Sequence, residues 1–288
     1  MAENYFGITD TGRLRTNNED TFIAEPFFDG RFIASCVIDG VGGYEGGEVA
    51  ARLAHDAIVE KLSTLPDDYF EGMKDAINAA NEAIYTEKKV NRSNEQMACV
   101  LTLALADVSN NKFYYCHVGD TRLYLFRDDS LVKITRDHSF VGFLEDSGRL
   151  TEEAAMRHPK RNEINKALGF EGGLKGDDYI EAGESPFLPG DTLLLCSDGL
   201  SDMIGNNAIT AVLNTTNSLS QKAKSLIKAA NEAGGKDNIT VVLVYNNKAP
   251  LVQTATKPVS IAKKSDTQYD KIASEKNLSE DTKNFSKN

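Results

Sequence analysis

The sequence predicts an α+β protein, a four-layer α-β-β-α sandwich of two antiparallel sheets flanked by helices. Three observations carry that prediction. Apolar runs of strand length outnumber helical stretches in a chain of 288 residues. Several of these runs are joined by connections too short for a parallel crossover. Three amphipathic stretches, two early and one late, each offer a single apolar face with which to cover a sheet.

Taken in order, residues 4–10 and 20–38 read as strands, the second stretch broken by a turn at Asp29-Gly30. After Gly46-Gly47 a helix carries Val49, Leu53, Ala54, Ala57, Ile58 and Leu62 on one face. A second, from about Asp67 to Val90, carries Phe70, Met73, Ile77, Ala80 and Ile84. Strands follow at 98–107, 112–118, 122–126 and 131–134, with turns at Asn110-Asn111, Gly119-Asp120 and Asp128-Asp129, an antiparallel meander. Residues 138–169 are polar with charges on most faces, which predicts a mobile surface excursion rather than core. Strands resume at 178–182 and 191–197, a helix spans 218–233 and stops at Gly234-Gly235, and a last strand runs from Ile239 to Tyr245. Beyond Lys248 the apolar periodicity is lost. Residues 1–248 therefore read as one domain and 249–288 as a disordered polar tail.

Composition narrows the function. The net charge is −11, and the stretch from Lys248 onward holds eight lysines against five acids, so residues 1–247 carry −14. A body that acidic repels polynucleotide phosphates, so no nucleic-acid role is expected. No apolar run has bilayer-spanning length and the start, Met-Ala-Glu-Asn-Tyr, lacks a basic-then-apolar leader pattern, so a cytoplasmic protein without a membrane role is expected. Cys36, Cys99, Cys116 and Cys196 all sit inside apolar runs with no close pair, which suits reduced, buried thiols.

The chemistry is carried by acids at strand ends. Asp39 closes the apolar run ending at Ile38, Asp198 closes another, Asp237 precedes the last strand, and Asp120 lies in a strand-to-strand turn. If those ends share one rim, the carboxylates repel one another and a divalent cation relieves the repulsion. Ligation by oxygen alone, with no His or Cys cluster, points to Mg2+ or Mn2+. Asp202, one helical turn beyond Asp198, is placed to face the same spot, and Glu19 and Asp20 are further acids within reach. Asp29, Asp128 and Asp129 are read as plain turn residues. Arg15 is the nearest candidate for gripping a phosphate, since guanidinium binds its oxygens two at a time.

Six motifs occur in order: Arg15-x-x-x-Glu19-Asp20, Asp39-Gly40-x-Gly42-Gly43, His117-Val118-Gly119-Asp120-Thr121-Arg122, Asp137-His138-Ser139, Ser197-Asp198-Gly199-Leu200 and Asp237-Asn238. Together they resemble the metal-dependent Ser/Thr protein phosphatases of type 2C in their compact bacterial form, over residues 4–246. The resemblance implies a β-sandwich flanked by helices and hydrolysis of phosphoserine and phosphothreonine in proteins by a water activated between two ions. It implies that Asp39 bridges the ions with Gly40 adding its carbonyl, that Asp198 and Asp237 complete one shell, and that Glu19 and Asp20 hold waters on the other ion. Asp120 and Asp202, with Asp198, match ligands of a third ion, Arg15 the phosphate-gripping arginine, and 138–169 the flap beside the site. Phosphorylated Ser/Thr proteins, a cognate Ser/Thr kinase and a monomeric state are implied as well.

Two departures stand out. Many members have a histidine after the Asp-Gly pair where this chain has Val41, which leaves the departing oxygen's proton donor open, with His138 a candidate better read as structural. Met97-Ala98-Cys99-Val100-Leu101 replaces the usual Gly and Thr residues, and Cys99 reads as packing because no glycine-rich, arginine-bearing loop accompanies it. A non-catalytic binding module would have lost metal-binding acids, and none is missing. A two-metal nuclease or phosphodiesterase fits the acids but not the −14 body.

Overall fold

The computed structural model describes residues 4–42, 46–64, 66–170, 174, 176 and 178–249. Gly43 of the second motif and the tail from residue 250 onward lie outside the described residues. The strands are β1 (Tyr5–Asp10), β2 (Asp20–Phe27), β3 (Phe32–Val41), β4 (Ala98–Asp107), β5 (Lys112–Val118), β6 (Arg122–Arg127), β7 (Ser130–Lys133), β8 (Glu181–Pro186), β9 (Thr192–Cys196) and β10 (Ile239–Tyr245). The helices are α1 (Gly46–Lys61), α2 (Tyr69–Val90), α3 (Phe140–Asp146), α4 (Glu152–Met156), α5 (Asp198–Ser201), α6 (Asn206–Leu213) and α7 (Leu219–Glu232).

One sheet has the order β1-β10-β9-β6-β7 and the other β2-β3-β4-β5-β8, and every pairing is antiparallel. Alternation along each strand builds three apolar layers. On β3, Ile33 and Val37 pack between the sheets, while Phe32, Ala34, Cys36 and Ile38 meet α1 and α2. On β10, Val242 and Val244 face inward, while Ile239, Val241 and Leu243 meet α7. The four layers expected from the sequence are therefore present. Both faces of the inner strands are covered, which is why those strands read as unbroken apolar runs.

Local chemistry sets the element ends. Asp68 caps α2, accepting from the backbone N–H of Phe70 at 2.8 Å and of Glu71 at 3.1 Å. Ser218 and Gln221 form a reciprocal capping box at the start of α7. Asp128 and Asp129 have φ of 48° and 61°, the left-handed pair that a two-residue hairpin between β6 and β7 needs, and Asp29 has φ 56°. All three are turn residues, as expected. Pro26 is tolerated because β2 is an edge strand.

Three expectations need correction. The strand expected at 178–182 runs instead from Glu181 to Pro186. The late part of the chain holds α5 and α6 as well as α7; both are short, and the Asp-Gly start of one and the asparagines of the other masked their period. Residues 138–169 are not wholly surface: Val141, Ala155, Ala167 and Leu168 are buried, and Leu168 bridges to Cys99 of β4. Sparse apolar residues there escape a periodicity test because they come singly, at anchor points. All four cysteines are buried and unpaired.

Candidate active site

The alternation that builds the core also aims the first acid. Asp39 follows Ile33 and Val37 on the face turned toward the other sheet. Asp20, the first residue of β2, is its register partner across the ladder. Asp198 starts α5 directly after β9, Asp237 precedes β10, and Asp120 sits between β5 and β6. These ends share one rim. There a cavity of about 710 Å3 is lined by Asp39, Asp120, Asp198 and Asp237, with Arg15, Glu19 and Gly40. Gly40 is required by a close approach: a Cβ on it would lie 2.2 Å from the carbonyl oxygen of Gly47.

Two predicted residues stand outside that lining. Asp20 is buried beside it and accepts from the Thr240 hydroxyl at 2.6 Å. Asp202 lines an adjoining cavity of about 480 Å3, which shares Asp198 and Asp237 with the first.

The acids burden one another. Burial, followed by repulsion from Asp20, Asp198, Asp120 and Asp237, holds the Asp39 carboxyl well above the usual carboxylate range. Burial and then Asp202, Asp120 and Asp237 do the same to Asp198. Burial is the leading cause at Asp20 and at Asp120, each pushed up to about 6. Glu19 and Asp202 are raised for the same first reason. Oxygen donors that cannot all ionise together form a shell suited to hard divalent cations, so Mg2+ or Mn2+ fits the residues present.

Arg15 stands at the mouth, half-exposed, its Nη2 donating to Asp237 Oδ2 at 2.7 Å. The loop carrying it is held by Asn238. That side chain accepts from Glu19 N at 2.8 Å and donates to the carbonyls of Thr11 and Asn17 at 2.9 Å each. Asn238→Ala leaves these partly buried groups without that partner, at a cost of about 1 kcal/mol. The expected result is a lower urea midpoint with an unchanged slope. Turnover should fall at least about tenfold, because Arg15 and Glu19 lose their placement.

Sequence reasoning missed how the inner acids are held. Arg122 and Asp137 form a buried pair, with Nη2 to Oδ2 at 2.7 Å and Nε to both carboxylate oxygens at 3.1 Å. Lys133 adds a contact to Asp137 at 3.2 Å, and Glu145 one to Arg122 at 2.7 Å. Arg161, buried in the segment expected to be surface, donates from Nε to Asp202 Oδ1 at 2.7 Å. Arg122 and Asp137 both lie in quoted motifs, so a signal existed. Arg161 sits in a run of charges that offers none.

The histidines are structural. His117 Nε2 faces the Arg136 carbonyl at 3.1 Å, so it carries the proton, and Nδ1 accepts from the Thr102 hydroxyl at 2.9 Å. His138 Nδ1 accepts from Gly119 N at 3.1 Å, which puts its proton on Nε2. Potential ligand atoms of His117, His138 and Glu181 all lie within 4.8 Å of one another, but these hydrogen bonds leave neither ring a free lone pair for a metal. Cys99 is fully buried and its thiol is raised to a range that rules out a ready thiolate, first by burial and then by Asp39.

A sandwich with an acid-ringed, metal-competent cavity and an arginine at its mouth defines a metal-dependent hydrolase of phosphate esters. Comparison with known proteins narrows the class. The sequence profile of the family described as Protein phosphatase 2C matches residues 14–243, and the chain belongs to that family of Ser/Thr protein phosphatases. It is 37% identical over 246 residues to the serine/threonine phosphatase stp of Listeria welshimeri, covering 83% of this chain and 94% of that one. The crystal structure of the Mycobacterium tuberculosis serine/threonine phosphatase PstP/Ppp superposes with a TM-score of 0.72 at 35% identity, covering 84% of this chain and 97% of that chain. Serine/threonine phosphatase Stp1 from Staphylococcus aureus superposes with a TM-score of 0.76 at 28% identity, covering 85% and 95%. No helix among the described residues is long and apolar enough to cross a membrane.

Proposed function

We propose that the chain removes phosphate from serine and threonine side chains of proteins, with its ions held by the acids of the 710 Å3 cavity. The supporting observation is the convergence of Asp39, Asp120, Asp198 and Asp237 on one rim, with each of the first three held above its ordinary range first by burial and then by neighbouring carboxylates. The catalytic domain of a serine/threonine protein phosphatase PstP, 35% identical, is known in complex with two manganese ions.

Asp39 with the Gly40 carbonyl, and Asp198 with Asp237, would hold the ions, and Glu19 and Asp20 would position their waters. Asp120 and Asp202 join Asp198 around a third. Mn2+ or Mg2+ held there would supply the acidity that makes a bound water nucleophilic and the charge that offsets the phosphoryl oxygens. Arg15 releases Asp237 and grips the phosphate through its paired N–H groups. Val41, exposed at the rim, carries no proton, so no side chain at that position protonates the departing oxygen. We place catalysis in residues 1–248, with 138–169 as the flap and 249–288 as a separate tail, in a cytoplasmic monomer opposing a cognate Ser/Thr kinase.

The test is hydrolysis of phosphoserine, phosphothreonine and phosphotyrosine peptides beside a phosphodiester, with Mn2+, Mg2+ or chelator. Turnover of the first two with metal, and its loss in chelator, is expected. Preference for the diester, or full activity in chelator, overturns the assignment.

A further inference from the structure

A further cavity, of about 580 Å3, lies at the start of β8 and shares no lining residue with the acid-ringed one. Three cations line it: Lys74 from α2, Arg136 from the stretch after β7, and Lys166. His138, Asp178 and Glu181 line it as well. A concave site where cations outnumber acids stands against the −14 of the body around it. Glu181 is already engaged, accepting from Arg136 N at 3.0 Å and from the Tyr115 hydroxyl at 3.3 Å. The cations are not. Among the described residues neither Arg136 nor Lys166 forms an ion pair; Lys166 Nζ donates to the Asp178 carbonyl and lies 5.6 Å from the centre of the Tyr179 ring. Lys74 reaches Glu71 on its own helix at 3.3 Å, an exposed pair of little worth. His138 adds a donor. Its Nδ1 accepts from Gly119 N, so Nε2 carries the proton, and Nε2 stands 3.9 Å from Glu181 Oε2, beyond hydrogen-bonding distance. Burial first, then His117 and the Lys166 charge, lowers the ring to about 3, so it stays neutral with that one N–H to give.

We infer that this cavity is a second anion site that takes a phosphoryl group, held by Arg136, Lys166 and Lys74 with the His138 N–H as a further donor. The inference goes beyond the catalytic reading and does not depend on it. A guanidinium meets phosphoryl oxygens two at a time, and each lysine adds a compact charge. Three terminal oxygens use those donors together, where a carboxylate has only two to offer. The cavity is roomier than a phosphate ion requires, so the group can arrive on a protein side chain as well as free in solution.

The experiment follows the backbone amides of the full-length, Mg2+-loaded protein by heteronuclear NMR. One titration uses inorganic phosphate, a second a peptide bearing a phosphonate analogue of phosphoserine, which resists hydrolysis, and a third sodium chloride at matched ionic strength. Amides of Arg136, Lys166, Glu181 and Ala182 should shift and saturate with phosphate, the peptide or both, and not with chloride. Saturation by phosphate alone identifies a site for the released product; saturation by the peptide identifies a site for a phosphorylated protein. In the double variant Arg136→Gln, Lys166→Gln the affinity read from these amides should fall at least about tenfold. The amides of Arg15 and Gly40 report the catalytic cavity in the same spectra. Shifts confined to those two, an equal response to chloride, or an affinity unchanged in the double variant overturns the proposal. A silent catalytic cavity beside a responding second site would instead count against the catalytic reading.

Discussion

Asp39→Asn is expected to lower phosphopeptide turnover by about a thousandfold or more, yet to raise the melting temperature of the metal-free protein. The substitution keeps the shape of the side chain and removes one charge. That charge is repelled by Asp20, Asp198, Asp120 and Asp237, and burial already disfavours it. Without ions, deleting it is a relief. With ions, deleting it removes one of the carboxylates proposed to hold them. Wild type gains stability from Mn2+ by mass action, about 2.7 kcal/mol when the free ion is a hundredfold above its dissociation constant. For a domain of this size that is a rise of roughly 5–10 °C. The Asn variant should show little of it. Thermal denaturation in chelator and in saturating Mn2+ tests both halves. A variant that melts below wild type in chelator would show that Asp39 is not repelled, and one that keeps the full Mn2+ response would show that it is not a ligand.

A second large effect is a change in the pH dependence of stability when Mn2+ is added. Asp20 and Asp120 are raised from 3.8 to about 6, and Asp39 and Asp198 lie well above 3.8. A carboxyl with a raised folded-state pKa binds more protons folded than unfolded, so its stabilising contribution is lost as pH climbs through the folded value. His117 and His138 act oppositely. Burial lowers them from 6.5 to about 4 and about 3, so the unfolded chain binds their protons first and stability rises between about pH 4 and 6.5. Metal-free, at least four acids outweigh two histidines, and stability should fall from pH 5 to 7. With the site acids ionised around Mn2+, the two histidines outweigh Glu181, a raised carboxyl outside the site, and stability should rise over the same interval. Asp137 does not interfere: its buried pairing with Arg122 keeps it ionised in the folded state, and its ordinary value of 3.8 keeps it ionised in the unfolded chain over this interval. Urea titrations at pH 5, 6 and 7, with Mn2+ and with chelator, measure both slopes. Parallel slopes would remove the acid cluster as the seat of the ions.

Much of the fold could be read from local pattern. Period-2 and unbroken apolar runs marked β2 to β7, β9 and β10 closely, and period-3.6 faces marked α1, α2 and α7, because those elements are long and each buries a defined face. The antiparallel pairing followed from connections too short for anything else. What escaped was short or anchored at single residues: α5 and α6, the position of β8, and the buried ends of 138–169.

The candidate site divides along the same line. Asp39, Asp120, Asp198 and Asp237 were visible as acids that stop or precede apolar strands, and strand ends are a local property. Arg15 was visible as the cation nearest to them in the opening loop. How the acids are fastened was not. Arg15 and Asp237 touch across 222 positions, Asn238 reaches back 227 positions to Thr11, and Arg161 meets Asp202 across 41.

By itself, then, the order of residues determined the layered α+β class, which acids stand at strand ends and the kind of cation that oxygen donors suit, since periodicity and ligand hardness act over a few residues. Only the tertiary structure decided that those strand ends meet at one rim, that Asn238 ties down the loop beside them, and that Arg161 lies among Asp120, Asp137 and Asp202. Such contacts depend on which sheet edge faces which, and that is settled by packing between distant segments, where no nearby residue records the outcome.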